Sequence, residues 1–356
     1  MNINNLARRI MIMFPIILSL CLYPGLMHSS FASQPIDPPP EFYLINSAPG
    51  ISLYKKDYKG GNPDYVQLID LSQGASLKLL HAEIKNPRLG RGVYGGNDPR
   101  LSYWTIEEFW NTLSSEFDKA FCVSNGQFFF MKESPTRLPF PLKVDGEVIS
   151  DGYADQEFVG KKLLLAIWSD HAKILPLTKE NIYSSSAPDI IGGLADTANK
   201  AGKHFTGRTF IGLDDPDNDG SYQLIYLFNT KTARQVDAVA VLNSFGADNV
   251  MMLDGGGSTQ LVCQGEILIA SDRYIPQALG VVAGHEREAA ILPIAVDKKV
   301  GSTKLSDTSS KMEAEISVQS DNRTNITDIF WVAVLMVPIQ VGIIATIYRL
   351  RHKQTQ

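Results

Sequence analysis

Residues 250–262 read V-M-M-L-D-G-G-G-S-T-Q-L-V. A short apolar run ends at Leu253, an acid follows, then three glycines, two hydroxyls and a second apolar run. Apolar runs of this length are the pattern of buried strands. Gly255, Gly256 and Gly257 permit left-handed backbone and let another main chain or a ligand come close. Asp254 is therefore expected at a strand end, beside bare amides and the hydroxyls of Ser258 and Thr259, a setting that suits an anion or a polyol. A glycine-rich hairpin with a capping aspartate has the same signature. The acid and hydroxyls flanking the glycines favour a site.

A second stretch is built alike. Ile106, Phe109, Trp110, Leu113 and Phe117 share one face of a helix expected over 105–118, with Thr105 and Glu108 as a capping box. The run Phe121-Cys122-Val123 and the turn Ser124-Asn125-Gly126 follow. Residues 232–245 likewise predict a helix closed by Gly246, then a strand over 249–253 ending at Asp254. If the two strands lie parallel in one sheet, both polar turns emerge at its carboxyl edge, where open α/β sheets place their ligand crevice. The expectation is an α/β (α+β) fold, a single domain with a large mixed β-sheet and packed helices. Asn125 and Asp254 then line one cleft.

L-D-G-G-G-S-T, with S-N-G-Q-F-F upstream and G-R-T-F-I-G between, resembles the phosphodiester glycosidase family. So do P-L-K-V-D-G-E-V-I at 141–149, I-I-G-G-L at 190–194 and D-R-Y-I-P-Q-A-L-G-V at 272–281. The resemblance spans residues 42–284, and the order of the motifs is its stronger part. Gln127 stands where the family usually has glycine, and 190–194 lacks the proline that often follows its glycines. The resemblance implies a hydrolase that cleaves the glycosidic bond of a sugar-1-phosphodiester and releases the sugar. The alternative is a non-catalytic, membrane-tethered module that binds glycan phosphate.

Chemistry assigns roles to these positions. Breaking the bond from C1 to oxygen builds positive charge on the ring. The leaving phosphate monoester has a second pKa of about 6 and needs little protonation. Asp254 suits the activation of water and the stabilisation of the ring. Arg208 offers a planar fork for phosphate, or a structural ion-pair partner; Arg273 is a second phosphate candidate. Asn125 could bond a sugar hydroxyl, and Gly126, Gly255, Gly256, Gly257, Ser258 and Thr259 are expected to bind substrate. The sequence does not choose a second carboxylate among Asp214, Glu266 and Asp272. Cys122 as a hydrolase nucleophile lacks any motif that brings one of the six histidines near it.

The rest of the chain sets the context. It has 356 residues, 44% apolar, with a net charge of −5, enough for one large domain and without a basic signature for nucleic acid. Residues 1–33 have the basic start and apolar core of a secretory signal, and 34–41 form a proline-rich linker. The glycosidase domain is expected over 42–285, a polar flexible stalk over 286–328, a membrane-spanning helix over 329–348 and a cytoplasmic basic tail over 349–356. That topology predicts a single-pass membrane protein with its domain outside the cytoplasm.

Strands are expected over 51–54, 66–70 and 77–82, the last two as a hairpin through Gln73-Gly74. Asp145-Gly146 marks another hairpin. The glycine- and arginine-rich loop 88–100 is either an active-site rim or a connection. Asp215, Asp217 and Asp219 mimic the start of a calcium loop, but the residue at its closing glutamate position is Tyr226; an acidic hairpin tip is the first reading, and no other cofactor is expected. Three cysteines occur; once Cys21 leaves with the signal, Cys122 and Cys263 are either bridged or two buried thiols.

Overall fold

The computed structural model describes residues 37–285. The leader, stalk, membrane-spanning segment and tail expected from the sequence lie outside those residues. Among the described residues, no helix is long and apolar enough to cross a membrane.

The described chain is a sheet-dominated unit with few helices. Its larger sheet has eleven strands. Nine run side by side in the order Tyr43–Ala48, Ile51–Lys56, Asp64–Asp70, Leu224–Ala233, Thr206–Asp214, Asn249–Met252, Asp189–Ala195, Lys162–Ile167 and Ala172–Pro176. The hairpin Leu142–Val144 with Glu147–Ser150 joins at the side of Asp189–Ala195. The smaller sheet has five strands, ordered Glu266–Ile269, Leu261–Cys263, Ala120–Asn125, Gln277–Val282 and Ser76–His81.

Alternation along the strands explains how the sheets meet. Ile211 and Met251 of the larger sheet and Cys122, Cys263 and Leu279 of the smaller one belong to one buried cluster. Their neighbours Phe210 and Met252 turn to the other face, where Ala238 and Leu242 of the helix Gln235–Ser244 cover them. Val123, Val262 and Ala278 pack under Ile106, Phe109 and Leu113 of the helix Ile106–Glu116. Successive strand residues point to opposite faces, so each sheet shows one face to the other sheet and one to a helix. Thr105 accepts from the Glu108 amide while the Glu108 carboxylate accepts from Thr105, closing the expected capping box.

The structure departs from three expectations. The strands ending at Asn125 and before Asp254 are not parallel neighbours; they lie in different sheets, and their recorded partners are antiparallel. The strands around Gln73-Gly74 form no hairpin either. Asp64–Asp70 belongs to the larger sheet and Ser76–His81 to the smaller. The 3-10 turn Leu71–Gln73, capped by Asp70 and closed by Gly74 at φ 75°, carries the chain between sheets. A turn signal in sequence specifies a reversal and not its pairing partner. Asp145-Gly146 does turn a hairpin, with both residues at positive φ. Residues 232 and 233, expected in the second helix, finish the strand Leu224–Ala233.

Cys122 and Cys263 are bridged, with Cα atoms 4.0 Å apart. They face each other directly across the antiparallel pair of Ala120–Asn125 and Leu261–Cys263. The pairing register therefore decides between the two alternatives the sequence leaves open.

Candidate active site

The D-G-G-G-S-T stretch is a crossing between sheets. Asn249–Met252 ends in the larger sheet, and Leu261–Cys263 begins in the smaller. Close approach explains the glycines. A Cβ on Gly255 would stand 2.5 Å from the Gly207 carbonyl oxygen, and one on Gly207 would stand 2.2 Å from that of Gly256. Two main chains touch where the strand Thr206–Asp214 starts and the crossing leaves the sheet. Only residues without a Cβ permit that.

Asp254 sits at the start of this crossing, anchored by its main chain. Its amide donates to the Gly126 carbonyl at 3.1 Å, and its own carbonyl accepts from Asn125 Nδ2 at 2.7 Å. The side chain reaches the floor of a cavity of about 490 Å³. It is closely surrounded by protein, and that desolvation pushes its carboxyl up to about 6. The Ser258 hydroxyl and the Gly255 amide, followed by the charges of Arg273 and Lys200, oppose the rise.

The cavity has two kinds of wall. Phe128, Phe129, Phe140, Tyr153 and Phe158 supply an aromatic side. Arg273 and Lys200 supply the cations. The Lys200 ammonium lies 5.4 Å from the ring centres of both Phe128 and Phe158. Arg273 donates to Ser258 Oγ at 3.2 Å and lies over Gly257, where a Cβ would meet its guanidinium at 2.8 Å. Glu157 is the second carboxylate on the lining.

The structure separates the residues named from sequence. Asp254, Gly255, Gly256, Arg208 and Arg273 line the cavity. Arg208, however, does not present the free fork expected of a phosphate clamp. It is buried, and its guanidinium donates to the carbonyls of Ala233, Lys200, Ala201 and His204 at 2.7–3.1 Å. Among the described residues it forms no ion pair; it holds the segment that presents Lys200. Asn125 is also buried and internally engaged. Besides Asp254, it serves Thr209 Oγ1 at 2.9 Å and the Gln260 amide at 3.3 Å, both through Oδ1. It braces the floor and does not reach into the cavity.

Gly126 is packed against Gln277, whose side-chain oxygen would lie 1.6 Å from an added Cβ. Ser258 and Thr259 are buried under the floor, and Gly257 borders a neighbouring polar cavity. Gln127 fits in place of a glycine because its side chain turns inward and donates to the Pro141 carbonyl at 3.2 Å.

Asp214 lies at the far end of Thr206–Asp214 from Arg208, bonded to Tyr226 at 3.1 Å, and Glu266 starts an outer strand of the smaller sheet; neither lines the cavity. Asp272 borders the neighbouring polar cavity instead. No residue of 88–100 lines this cavity, so the loop is not its rim. Asp215, Asp217 and Asp219 gather their carboxylates within 4.8 Å at the tip that follows Asp214, away from Asp254. Asp215 accepts there from the amides of Asp219 and Gly220, which is the work of an acidic hairpin tip. Sequence reasoning missed Lys200, Glu157 and the aromatic wall. They lie in irregular segments whose spacing has no period to read. The F-F-F run at 128–130 was the one available signal.

Two packed sheets thus bring a carboxyl group, two cations and an aromatic wall to one cavity. Residues 118–282 match the family model described as phosphodiester glycosidase, the family that the motifs resemble. Among solved structures the chain is similar to a hypothetical protein from Synechocystis, at 15% identity over 69% of this chain and 64% of that one, with a TM-score of 0.45. It therefore spans less than two thirds of that protein's length. It is also similar to the zebrafish N-acetylglucosamine-1-phosphodiester alpha-N-acetylglucosaminidase catalytic domain auto-inhibited by pro-peptide, at 15% identity over 69% of this chain and 82% of that one, with a TM-score of 0.43. No curated protein sequence matches the chain.

Proposed function

We propose that this protein hydrolyses a sugar-1-phosphodiester at the bond between C1 and oxygen, releasing the free sugar and a phosphate monoester. One observation carries the reading: the Asp254 carboxyl, raised to about 6, lies on a cavity floor between an aromatic wall and the cations Arg273 and Lys200. The family match over 118–282 supports the same chemistry.

The aromatic side takes the apolar face of the sugar ring, and Arg273 with Lys200 takes the phosphate. Asp254 then faces the anomeric carbon. Near neutral pH a carboxyl with a pKa of about 6 is mostly ionised, so it accepts a proton from water and stabilises the cationic ring. The bond from C1 to oxygen breaks with its electron pair kept by the phosphate, water supplies hydroxyl to C1, and the water proton passes to Asp254. The leaving phosphate monoester has a second pKa of about 6, so it departs without a strong general acid. That explains why a single enclosed carboxyl can suffice where ordinary glycosidases use two.

The test is incubation of the purified protein with a panel of sugar-1-phosphodiesters, following free reducing sugar and phosphate monoester together. Equal release of both, abolished in Asp254→Asn, is the expected result. Tight binding with no release from any member of the panel would instead assign the cleft to a glycan-phosphate binding module. The bridge between Cys122 and Cys263 supports an extracytoplasmic domain, since such bonds persist in oxidising compartments. We place the membrane anchor at 329–348; deleting it should release soluble protein, and a truncated protein still in the membrane fraction would refute the placement.

A further inference from the structure

Arg273 borders three cavities. One is the catalytic cavity, one an open apolar groove beside Tyr103 and Tyr274, and the third a polar cavity of about 610 Å³. Lys231 lines the third, with Gly257, Ser271 and Asp272. Among the described residues no carboxylate pairs with Lys231. It is half-buried, and desolvation pulls its amine below the usual lysine range, helped by the charge of Arg273 and opposed by that of Asp272. A half-buried lysine without a paired carboxylate is costly to keep charged. An anionic ligand removes that cost.

We propose that Lys231 and Arg273 form a second anion subsite, which holds the next phosphate of a substrate bearing phosphates in series. This rests on the reading of the main cavity as a sugar-phosphodiester site. Arg273 lines both cavities, so a chain whose scissile phosphate lies on one side of it can place its next phosphate on the other. Lys231 then acts as a point charge with three donors, tolerant of the ligand's exact pose. Asp272 repels an anion at the same cavity, and its carboxylate is exposed to solvent, where screening weakens it. The substrate class that follows is a polyanionic chain, and an isolated diester would occupy only part of the site.

The test uses the full chain and Lys231→Met, which keeps the apolar stem and removes the charge. Two substrates are compared at low salt: a sugar-1-phosphate methyl diester, and the same sugar-1-phosphate esterified to a glycerol phosphate trimer. Expected is a KM about tenfold lower for the longer substrate in the native protein, a preference lost in Lys231→Met while methyl diester hydrolysis is unchanged. An equal effect on both substrates would assign Lys231 to the scissile phosphate and overturn the proposal. No effect on either would overturn it as well. Calorimetry of glycerol phosphate trimer against glycerol phosphate decides the subsite without turnover. If neither diester is hydrolysed, the catalytic reading fails, and the trimer must still bind about tenfold more weakly to Lys231→Met.

Discussion

Asn125 Nδ2 donates to the Asp254 carbonyl at 2.7 Å, and this bond ties the last residue of a strand in the smaller sheet to the second residue past a strand in the larger one. The amide oxygen of the same side chain holds Thr209 of the larger sheet and Gln260 of the crossing. One buried side chain thus fixes the height of the carboxyl above the cavity floor.

Asn125→Ala removes that bracket and leaves buried polar groups without partners. We expect a loss of about 2–4 kcal/mol in stability and a fall in kcat that exceeds any change in KM. Denaturant unfolding and steady-state kinetics check both. A kcat like that of the native protein would show that Asp254 is placed by its own strand alone.

Asp254→Asn is expected to abolish hydrolysis and to stabilise the fold at neutral pH. The folded carboxyl titrates near 6, above its unfolded value, so the native state binds more protons between the two and stability falls as pH rises through that window. The amide lacks this cost. The variant should gain on the order of 2 kcal/mol over the native protein at pH 7.5, with the gap closing by about pH 4. Urea melts at the two pH values measure the difference.

The same titration shapes activity. If ionised Asp254 accepts the proton, kcat/KM should rise with pH through about 6 and level off above it. A profile that falls through that region would give Asp254 the role of acid.

Arg273→Lys and Arg208→Lys should part company. Arg273 reaches into the cavity, and replacing its fork by a point charge is expected to raise KM about tenfold at nearly unchanged stability. Arg208 holds four carbonyls, so its replacement should lower stability by about 2–4 kcal/mol and weaken activity through the displaced Lys200. Thermal melts beside kinetics separate the two.

Double replacement of Cys122 and Cys263 by serine opens a loop spanning 141 residues. The chain-entropy account puts the loss at about 5 kcal/mol, and calorimetry with and without reductant measures it.

The sequence revealed local structure well and partnership poorly. The capping box at Thr105, the hairpin at Asp145-Gly146 and the strand before Asp254 are short-range patterns, and each is present. Which sheet a strand joins depends on contacts far away in sequence, so Ser76–His81 and Ala120–Asn125 could not be assigned to the smaller sheet from their residues. The cavity follows the same division. Asp254 was legible because glycines and hydroxyls mark it. Arg208 was legible as a position, but its engagement with three carbonyls of the irregular segment 200–204 and that of Ala233 was not. Lys200 and Glu157 carry no motif at all.

The crossing at 255–257 has a consequence for how this protein fails. The Asp254 amide is held by the Gly126 carbonyl of the other sheet, and not by a neighbour in its own. Its hydrogen exchange therefore reports whether the two sheets are docked, and should slow to the rate set by whole-domain opening. If Asp254 acts as proposed, activity and docking are lost together: a sandwich that loosens retains its strands but no longer holds Asp254 at the cavity, and activity becomes a direct gauge of the population with both layers closed.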